Sequence, residues 1–468
     1  MNYYLMENFQ ESYETALSTE ELFMPDDKNY TDMQLLRMNL YIKSGKYKEA
    51  AVKGEILGKM ETLSPDHKYM LNLQLALVEL NRLRSLKKAT PADAAEFEKL
   101  FSTALSLVKH NTELMNRRGY RGITANVFDE FVNYKMKTGQ HTDAHYFNEV
   151  KKLLMASSRS GSNLFKYAGT IDMDAVQQLL PDDGVYVSIA KNMNDIFVWI
   201  ADKKSKKAFV IEKAYPALAE VINNCSIASA AGKDLSAFSK DIAKNLASLY
   251  PLIKDKKLII ISADSSTEKI PFEIAGDGSM LSDKSVMLYL PSLLVASTGN
   301  SSIGGEVFLP ESDNSPMAYL TGVAIRESGI RQISKPVSGR GMVHLNSKIK
   351  YNQLSRDFTV NGKSLKQTAG GSAVLSASSD EIKGAGVSDL LLFSREFNLH
   401  AALLNGSQIQ DTNNAMFTEE FYRNAGRGVS MKDSFVSAVS KVKGTDRYSH
   451  PANWSGYRLN IYNLNLIK

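Results

Sequence analysis

The chain has 468 residues, which is too long for one compact core and predicts two or three domains. Hydrophobic residues make up 43% and charged residues 23%, a composition typical of folded rather than disordered proteins. The net charge of +5 comes from 56 basic and 51 acidic residues spread along the chain, which argues against a basic surface for nucleic acid or anionic lipid.

The cysteine content and the N-terminal residues indicate the cellular compartment in which the protein is expected. Cys225 is the only cysteine, so an internal disulfide and a zinc site built on cysteine pairs are excluded. Residues 1–5 lack the basic and apolar stretches of a signal peptide, and no apolar run approaches the ~20 residues of a membrane span. We therefore expect a cytoplasmic protein without a membrane contact. His141 and His145 lie four residues apart but have no third ligand nearby, so we expect no metal and no cofactor.

Residues 1–156 show the apolar spacing of helices and contain little glycine. Two similar stretches, residues 40–50 and 134–144, each contain a glycine followed five residues later by an alanine. Such a glycine ends a helix in a left-handed conformation, and the small alanine lets the next helix pack closely. This pattern resembles the helix–turn–helix unit of tetratricopeptide repeats, whose stacked helices bind protein partners. A plain helical bundle is the alternative. Pro65 and Pro91 are predicted to begin helices.

The character of the sequence changes at residues 157–164, which are small and polar and are predicted to form a linker. Short apolar runs then alternate with helical patterns near residues 215–225 and 234–250. This alternation predicts an α/β domain over residues 165–468 with a buried, mostly parallel sheet. The runs that we predict as strands are residues 185–189, 196–200, 208–211, 258–261, 286–290, 318–320, 342–345 and 373–375.

Five segments of this second region match known motifs in the same order. They are residues 258–262 with 270–273 (IPFE), 289–292 (YLPS), 374–378 (VLSAS), 421–424 (FYRN) and 450–454 (HPANW). Together they resemble the CHAT family of caspase-like cysteine peptidases, with its "(I/L)PFE" turn, "YxPS" element, "VLSAC" strand end, "FYxxL" helix and "HPxxW" segment. Ala425 departs from the leucine of "FYxxL". The resemblance implies a caspase-like α/β domain, in which a central, mostly parallel sheet is flanked by helices.

The resemblance also implies where catalysis would occur. The family's nucleophile is the cysteine of "VLSAC", and Ser378 stands in that position. The family's catalytic histidine is the second histidine of "HxATH", and Lys348 stands there while His344 matches the first. The interval from Lys348 to Ser378 is short for the family, so the loop around residues 351–358 would be trimmed. His344 is an alternative base if the alignment shifts, or simply a core residue.

Three interpretations of these positions follow. In the first, the site is inactive, because a hydroxyl is a weak nucleophile without a matched base. In the second, Lys348 deprotonates Ser378, as in serine–lysine hydrolases, which requires a lysine whose pKa is lowered by burial. In the third, serine has been exchanged for the natural cysteine of an active peptidase. Whether the chain is an enzyme therefore stays open, although the sequence as written favours an inactive one.

Two classes of function fit this sequence. The chain is either a pseudoprotease that acts as an interaction or regulatory subunit, or a peptidase that cleaves a specific protein. In both, the helical repeats would dock a protein partner, either a related active protease or its substrate. On this view, deleting residues 1–155 removes the partner contact and leaves the α/β domain folded.

Overall fold

The chain divides into two compact units, Met1–Tyr134 with Ser157–Asn163 and Lys135–Ala156 with Leu164–Lys468. The computed structural model describes residues 15, 18, 29–60, 63–86, 90–111, 114, 120–160, 163–169, 171–231, 233–297, 306–308, 316–333, 342–345, 349–352, 357–360, 363–364, 373–376, 400–404, 411–446, 451, 454–455 and 457–467. Within those residues, no helix has both the length and the apolar character that crossing a membrane requires.

Long helices make up the described part of the chain up to residue 160. They are α1 (Tyr30–Lys43), α2 (Tyr47–Gly58), α3 (Pro65–Ser85), α4 (Pro91–His110), α5 (Tyr120–Lys137) and α6 (His141–Ser160). Pro65 and Pro91 begin α3 and α4, as predicted, and each follows a capping hydroxyl. The Thr90 hydroxyl accepts from the Asp93 amide while the Asp93 carboxylate accepts from the Thr90 amide, which forms a capping box.

The two predicted glycine turns have the expected geometry. Gly45 has φ +73° and Gly139 has φ +78°, both in the left-handed region. The amide after each glycine donates to the carbonyl five residues earlier, at 2.8 Å after Gly45 and 2.9 Å after Gly139. Ala50 and Ala144, five residues after the glycines, are fully buried. The sequence interpretation of these turns is confirmed.

The second unit contains a sheet with further helices. The helices are α7 (Met173–Leu179), α8 (Ala214–Ala230), α9 (Ser239–Asn245), α10 (Tyr250–Ile253), α11 (Pro316–Glu327), α12 (Asp411–Gly426) and α13 (Met431–Lys443). The strands are β1 (Gly184–Asn192), β2 (Asp195–Asp202), β3 (Lys206–Ile211), β4 (Leu258–Ala263), β5 (Val286–Tyr289), β6 (Glu306–Phe308), β7 (Arg331–Ile333), β8 (Met342–Leu345), β9 (Ile349–Asn352), β10 (Asp357–Val360), β11 (Lys363–Ser364), β12 (Ala373–Ser376), β13 (Ala401–Leu404) and β14 (Arg458–Ile461).

Within the described residues, eleven strands form one sheet in the order β3-β2-β1-β4-β5-β14-β13-β12-β8-β6-β7. The strands β1, β4, β5 and β14 run parallel to one another, and so do β13, β12, β8, β6 and β7. The two groups meet at the antiparallel pair of β13 and β14. The carboxyl ends of the two groups therefore lie at opposite edges of the sheet. The prediction of an α/β domain with a mostly parallel sheet is therefore confirmed.

Two sequence expectations differ from the structure. Residues 318–320, predicted as a strand, lie in α11, where Thr321, Ala324 and Ile325 are buried at helical spacing. Three residues are too few to distinguish a strand from a buried helix. Of residues 351–358, which were expected to belong to a trimmed loop, the described ones lie in strands: residues 351–352 in β9 and residues 357–358 in β10, which form a small three-stranded sheet with β11.

The boundary between the units also lies elsewhere than the sequence analysis placed it. The sequence predicts a helical domain over residues 1–156 and a linker over residues 157–164. In the structure, α6 continues through Ser160, and Lys135–Ala156 belong to the unit that contains the sheet. The reason is that α6 packs on β1, β2 and β4, as the contacts below show.

Candidate functional site

The predicted catalytic positions follow two neighbouring parallel strands. In the register of β8 and β12, Leu345 is the partner of Ser376, so the carboxyl ends of these strands lie side by side. Lys348 comes three residues after Leu345, and Ser378 comes two residues after Ser376. Both Lys348 and Ser378 lie outside the described residues. The carboxyl ends of parallel strands are where α/β folds commonly place their binding sites.

His344, the alternative base, is described and lies in the core. The residue is 3% exposed, and its Nδ1 lies 2.8 Å from the hydroxyl of Tyr422 on α12. Burial raises the pKa of Tyr422 well above its usual range, so the phenol stays protonated. This environment is that of a hydrogen-bonded core histidine.

A buried polar cluster joins two of the family-like motifs. Glu273 of the IPFE segment accepts a hydrogen bond from the hydroxyl of Tyr289 in the YLPS segment. Arg458 on β14 places its Nε 3.4 Å from the Glu273 carboxylate and its guanidinium carbon 4.6 Å from the centre of the Tyr289 ring. A further hydrogen bond joins Arg458 to the carbonyl of Glu268 at 2.8 Å. These contacts tie the loop after β4 to β5 and β14.

A second buried cluster lies under α6, and the sequence analysis did not identify it. His145, Glu149 and Lys152 follow one another at spacings of four and three residues, which places them on one side of the helix. They are 5%, 1% and 5% exposed. Lys152 Nζ lies 2.6 Å from Glu149 Oε1 and 2.8 Å from the hydroxyl of Ser262 on β4. The signal in the sequence is this spacing of three ionisable residues in an amphipathic helix.

The other carboxylate oxygen of Glu149 reaches the turn after β5. Glu149 Oε2 accepts from the backbone amide of Leu293 at 2.8 Å, and the Ser292 hydroxyl adds another hydrogen bond to this carboxylate. Leu293 begins a short 3₁₀ turn, Leu293–Val295, directly after the YLPS segment. Glu149 thus adds an acceptor to this turn, whose N-cap residue Ser292 already accepts from the amide of Leu294 at 3.3 Å.

On α6, burial and the neighbouring charges shift the pKa of Glu149 in opposite directions. Burial would raise the pKa of Glu149, but Lys152 and His145 hold that pKa below its usual range. Burial also lowers the pKa of His145 to about 4; nearby Lys152 lowers it further, whereas Glu149 and Asp172 oppose the shift. At neutral pH, the cluster therefore contains a neutral imidazole and an ion pair between Glu149 and Lys152.

The contact between Lys152 and Ser262 is not a catalytic serine–lysine dyad. Such a dyad needs a neutral lysine to accept the serine proton, whereas Lys152 forms an ion pair with Glu149 at 2.6 Å. Ser262 is fully buried, so a substrate has no access to its hydroxyl. The arrangement is a structural ion pair that holds α6 on the sheet.

The only thiol of the chain does not supply a nucleophile. Cys225 lies in α8 and is 5% exposed. Burial raises the pKa of its thiol to about 11, and nearby Glu273 adds to the effect. Because the thiolate is the reactive form, this thiol is unreactive at neutral pH. In the described part of the chain, no three or more His, Cys, Asp or Glu side chains are grouped to hold a metal ion.

Comparison of the chain with protein-family models found no match, and comparison with curated proteins found none either. The resemblance to the CHAT family therefore rests on the five motif segments and their order. Of these segments, IPFE and YLPS are brought together in the cluster of Glu273, Tyr289 and Arg458.

Proposed function

We propose that this chain is a catalytically degenerate CHAT-like pseudoprotease that acts as an interaction or regulatory subunit. The observation that carries the proposal is the state of the only cysteine. Cys225 is buried in a helix with a protonated thiol, and Ser378 occupies the position of the family's nucleophile. A cysteine peptidase requires an accessible thiolate, so the chain as written lacks the nucleophile of its family.

The sheet supports a caspase-like assignment for the second unit. The two parallel groups of strands and the helices packed on them give the α/β framework that the family requires. The adjacent ends of β8 and β12 lead directly into the segments with Lys348 and Ser378, as a caspase-like dyad would need. His344 is held by Tyr422, which supports a core role for it and leaves Lys348 as the counterpart of the catalytic histidine.

The helical first unit supplies the docking function in this proposal. Its helix–Gly–helix turn at Gly45 resembles a tetratricopeptide unit, and stacked helical hairpins offer grooves for proteins. We infer that the partner is a protein, either a related active protease or its substrate. The cytoplasm is the compartment that we propose.

The test is to rebuild the nucleophile in the full-length chain. We expect the unmodified chain to cleave no member of a peptide library, because loss of a catalytic nucleophile costs on the order of 10⁶ in kcat. We expect Ser378→Cys together with Lys348→His to restore turnover if the scaffold is caspase-like. Cys225→Ser in the same background is the matched control and should change nothing, since Cys225 is buried.

The adjacency of the β8 and β12 ends also favours one second candidate, a serine–lysine peptidase. In that case the unmodified chain cleaves, and both Ser378→Ala and Lys348→Ala stop the cleavage. Turnover restored by Ser378→Cys alone would instead identify an active peptidase whose cysteine has been exchanged. Either result would overturn the pseudoprotease proposal.

A further inference from the structure

The strand β3 forms one edge of the large sheet. Within the described residues, β2 is its only neighbour, and none of its six residues is fully buried. The opposite edge, β7, has only three residues, and its Arg331 pairs with Glu306 on β6. Short, charged strands are a usual form of a protected sheet edge. By contrast, β3 is longer and has an uncharged run at residues 208–211, so it lacks this protection along that run.

The hairpin between β2 and β3 shows which backbone groups of β3 point away from the sheet. The amide of Asp202 donates to the carbonyl of Ser205 at 2.9 Å, which makes these two residues a hydrogen-bonded pair. Such pairs alternate along an antiparallel ladder, so every second residue of β3 bonds to β2, namely Lys207, Phe209 and Ile211. The N–H and C=O groups of the residues between them point outward, which are those of Lys206, Ala208 and Val210.

This outward row of donors and acceptors is held in place without a partner. All of β3 pairs in register with β2, and Phe209 and Ile211 pack against the hydrophobic core. A strand that is already ordered loses little conformational entropy when another chain pairs with it. Main-chain pairing at such an edge is a common way in which proteins bind extended peptides.

The charge at the start of β3 determines which peptide fits. Four exposed lysines lie there, Lys203, Lys204, Lys206 and Lys207. Asp174 pairs with Lys206, and Asp202 pairs with Lys256 at 3.3 Å. In the described part of the chain, Lys204 and Lys207 form no ion pair with a carboxylate, so this end of the strand keeps a net positive charge. Acidic side chains on an added strand would be favourable beside these lysines, whereas basic ones would be repelled.

We propose that β3 binds an extended segment of a protein partner, which adds a strand to the sheet and places acidic side chains beside Lys204 and Lys207. The added strand runs antiparallel to β3, as β2 does, so its acidic residues lie at its C-terminal end and its uncharged residues lie beside residues 208–211. This site belongs to the sheet unit, whereas the docking proposed above belongs to the helical first unit. It does not depend on whether Ser378 and Lys348 catalyse a reaction.

Short synthetic peptides test the site on the full-length chain. In the labelled acidic probe, valine alternates with threonine before a run of aspartates at the C-terminal end. The basic probe has lysines in place of the aspartates. We expect fluorescence anisotropy to show that the acidic probe binds at least about tenfold more tightly than the basic one. Equal binding of the two probes, or no binding of the acidic probe, would overturn the proposal.

A proline at an outward-facing position separates strand addition from simple charge attraction. Val210→Pro removes an N–H that points away from β2, so the pairing of β3 with β2 is kept. We expect it to weaken binding of the acidic probe at least about fivefold, because the added strand loses a hydrogen bond and meets the proline ring. Val210→Thr keeps the N–H and the branched shape and should bind like the wild type. Unchanged binding by a folded Val210→Pro chain would show that the probe adds no strand.

Charge reversal tests the same site without a change to the backbone. We expect Lys204→Glu with Lys207→Glu to weaken binding of the acidic probe about tenfold and to make the basic probe the tighter ligand. The matched control is Lys240→Glu with Lys244→Glu, which changes two exposed lysines on α9 and should leave binding unchanged. An equal effect of both pairs would show that only the overall charge matters, which would overturn the proposal.

Sedimentation velocity without a peptide distinguishes a partner segment from a second copy of this chain at β3. We expect the unmodified chain and Val210→Pro to sediment alike. A dimer of the unmodified chain that Val210→Pro converts to monomers would show that a second copy occupies the edge, and the proposal would be wrong.

Discussion

His145 shows how burial changes the behaviour of a single side chain. The residue is 5% exposed, and its ring lies edge-on to Trp199, with 5.5 Å between the ring centres. The hydroxyl of Tyr186 is 3.4 Å from its Nε2. Burial makes the charged imidazolium unfavourable and lowers the pKa of His145 to about 4. At neutral pH, His145 is therefore a neutral hydrogen-bonding residue.

This pKa predicts a specific pH dependence of stability. The folded-state pKa of His145 is about 4 and lies below the unfolded value of 6.5, so its contribution is present above pH 6.5. That contribution is lost as the pH falls from 6.5 toward 4, by roughly 3 kcal/mol in total. We expect His145→Gln to lose this part of the pH dependence. Urea unfolding of both proteins between pH 4 and pH 7.5 measures it, and parallel stability curves would contradict the prediction.

At the scale of elements, the helix turns depend on backbone conformation that only glycine adopts without strain. Gly139 lies between α5 and α6 with φ +78°, and a side chain there would meet open space. Any cost of adding a Cβ at Gly139 is therefore a cost of backbone strain. Gly122, inside α5, would also present its Cβ to open space, but it has no positive φ.

Alanine substitutions at these two glycines form a matched pair of variants. We expect Gly139→Ala to reduce the free energy of unfolding by about 1 kcal/mol, because alanine is strained in the left-handed region. We expect Gly122→Ala to increase it by up to about 1 kcal/mol, because alanine is the better helix former. Chemical denaturation of the two variants measures the difference. A stabilising effect of Gly139→Ala would show that the turn does not keep its left-handed conformation.

At the scale of the whole molecule, α6 determines where the sheet unit begins. Residues 135–156 belong to the unit that contains the sheet. Without them, Tyr186, Ser262 and the amide of Leu293 would lose their partners on α6. Removing residues 1–155 would therefore expose one face of the sheet and leave buried polar groups unsatisfied.

Two fragments test this boundary. We expect residues 138–468 to fold and to unfold cooperatively, because they retain nearly all of the second unit. We expect residues 165–468, the domain predicted from the sequence, to be insoluble or to bind a dye for exposed apolar surface. Circular dichroism and thermal unfolding of the purified fragments compare them. Cooperative unfolding of the shorter fragment would show that α6 is dispensable for the sheet.

Much of the fold could be predicted from interactions between residues that are close together in the sequence. Continuous apolar runs such as residues 196–200 and 258–261 predicted buried strands, because a strand buried on both faces needs apolar side chains throughout. Prolines and glycines predicted helix starts and turns, because their restrictions on φ act within a few residues. The three-residue run at 318–320 was too short for its periodicity to be determined, and its helix is stabilised by burial of Thr321, Ala324 and Ile325.

The candidate site and the α6 cluster depended on contacts between residues far apart in the chain. The motif order located the strands before Lys348 and Ser378, and only the sheet register showed that Leu345 and Ser376 are neighbours. In the sequence, Glu149 and Lys152 are ordinary charged helix residues, which usually face solvent. Their partners Ser262 and Leu293 are more than 100 residues away, so only the tertiary structure buries these charges and pairs them. The periodicity of the sequence determines which side chains share a face of a helix or strand. The tertiary structure determines which groups that face contacts.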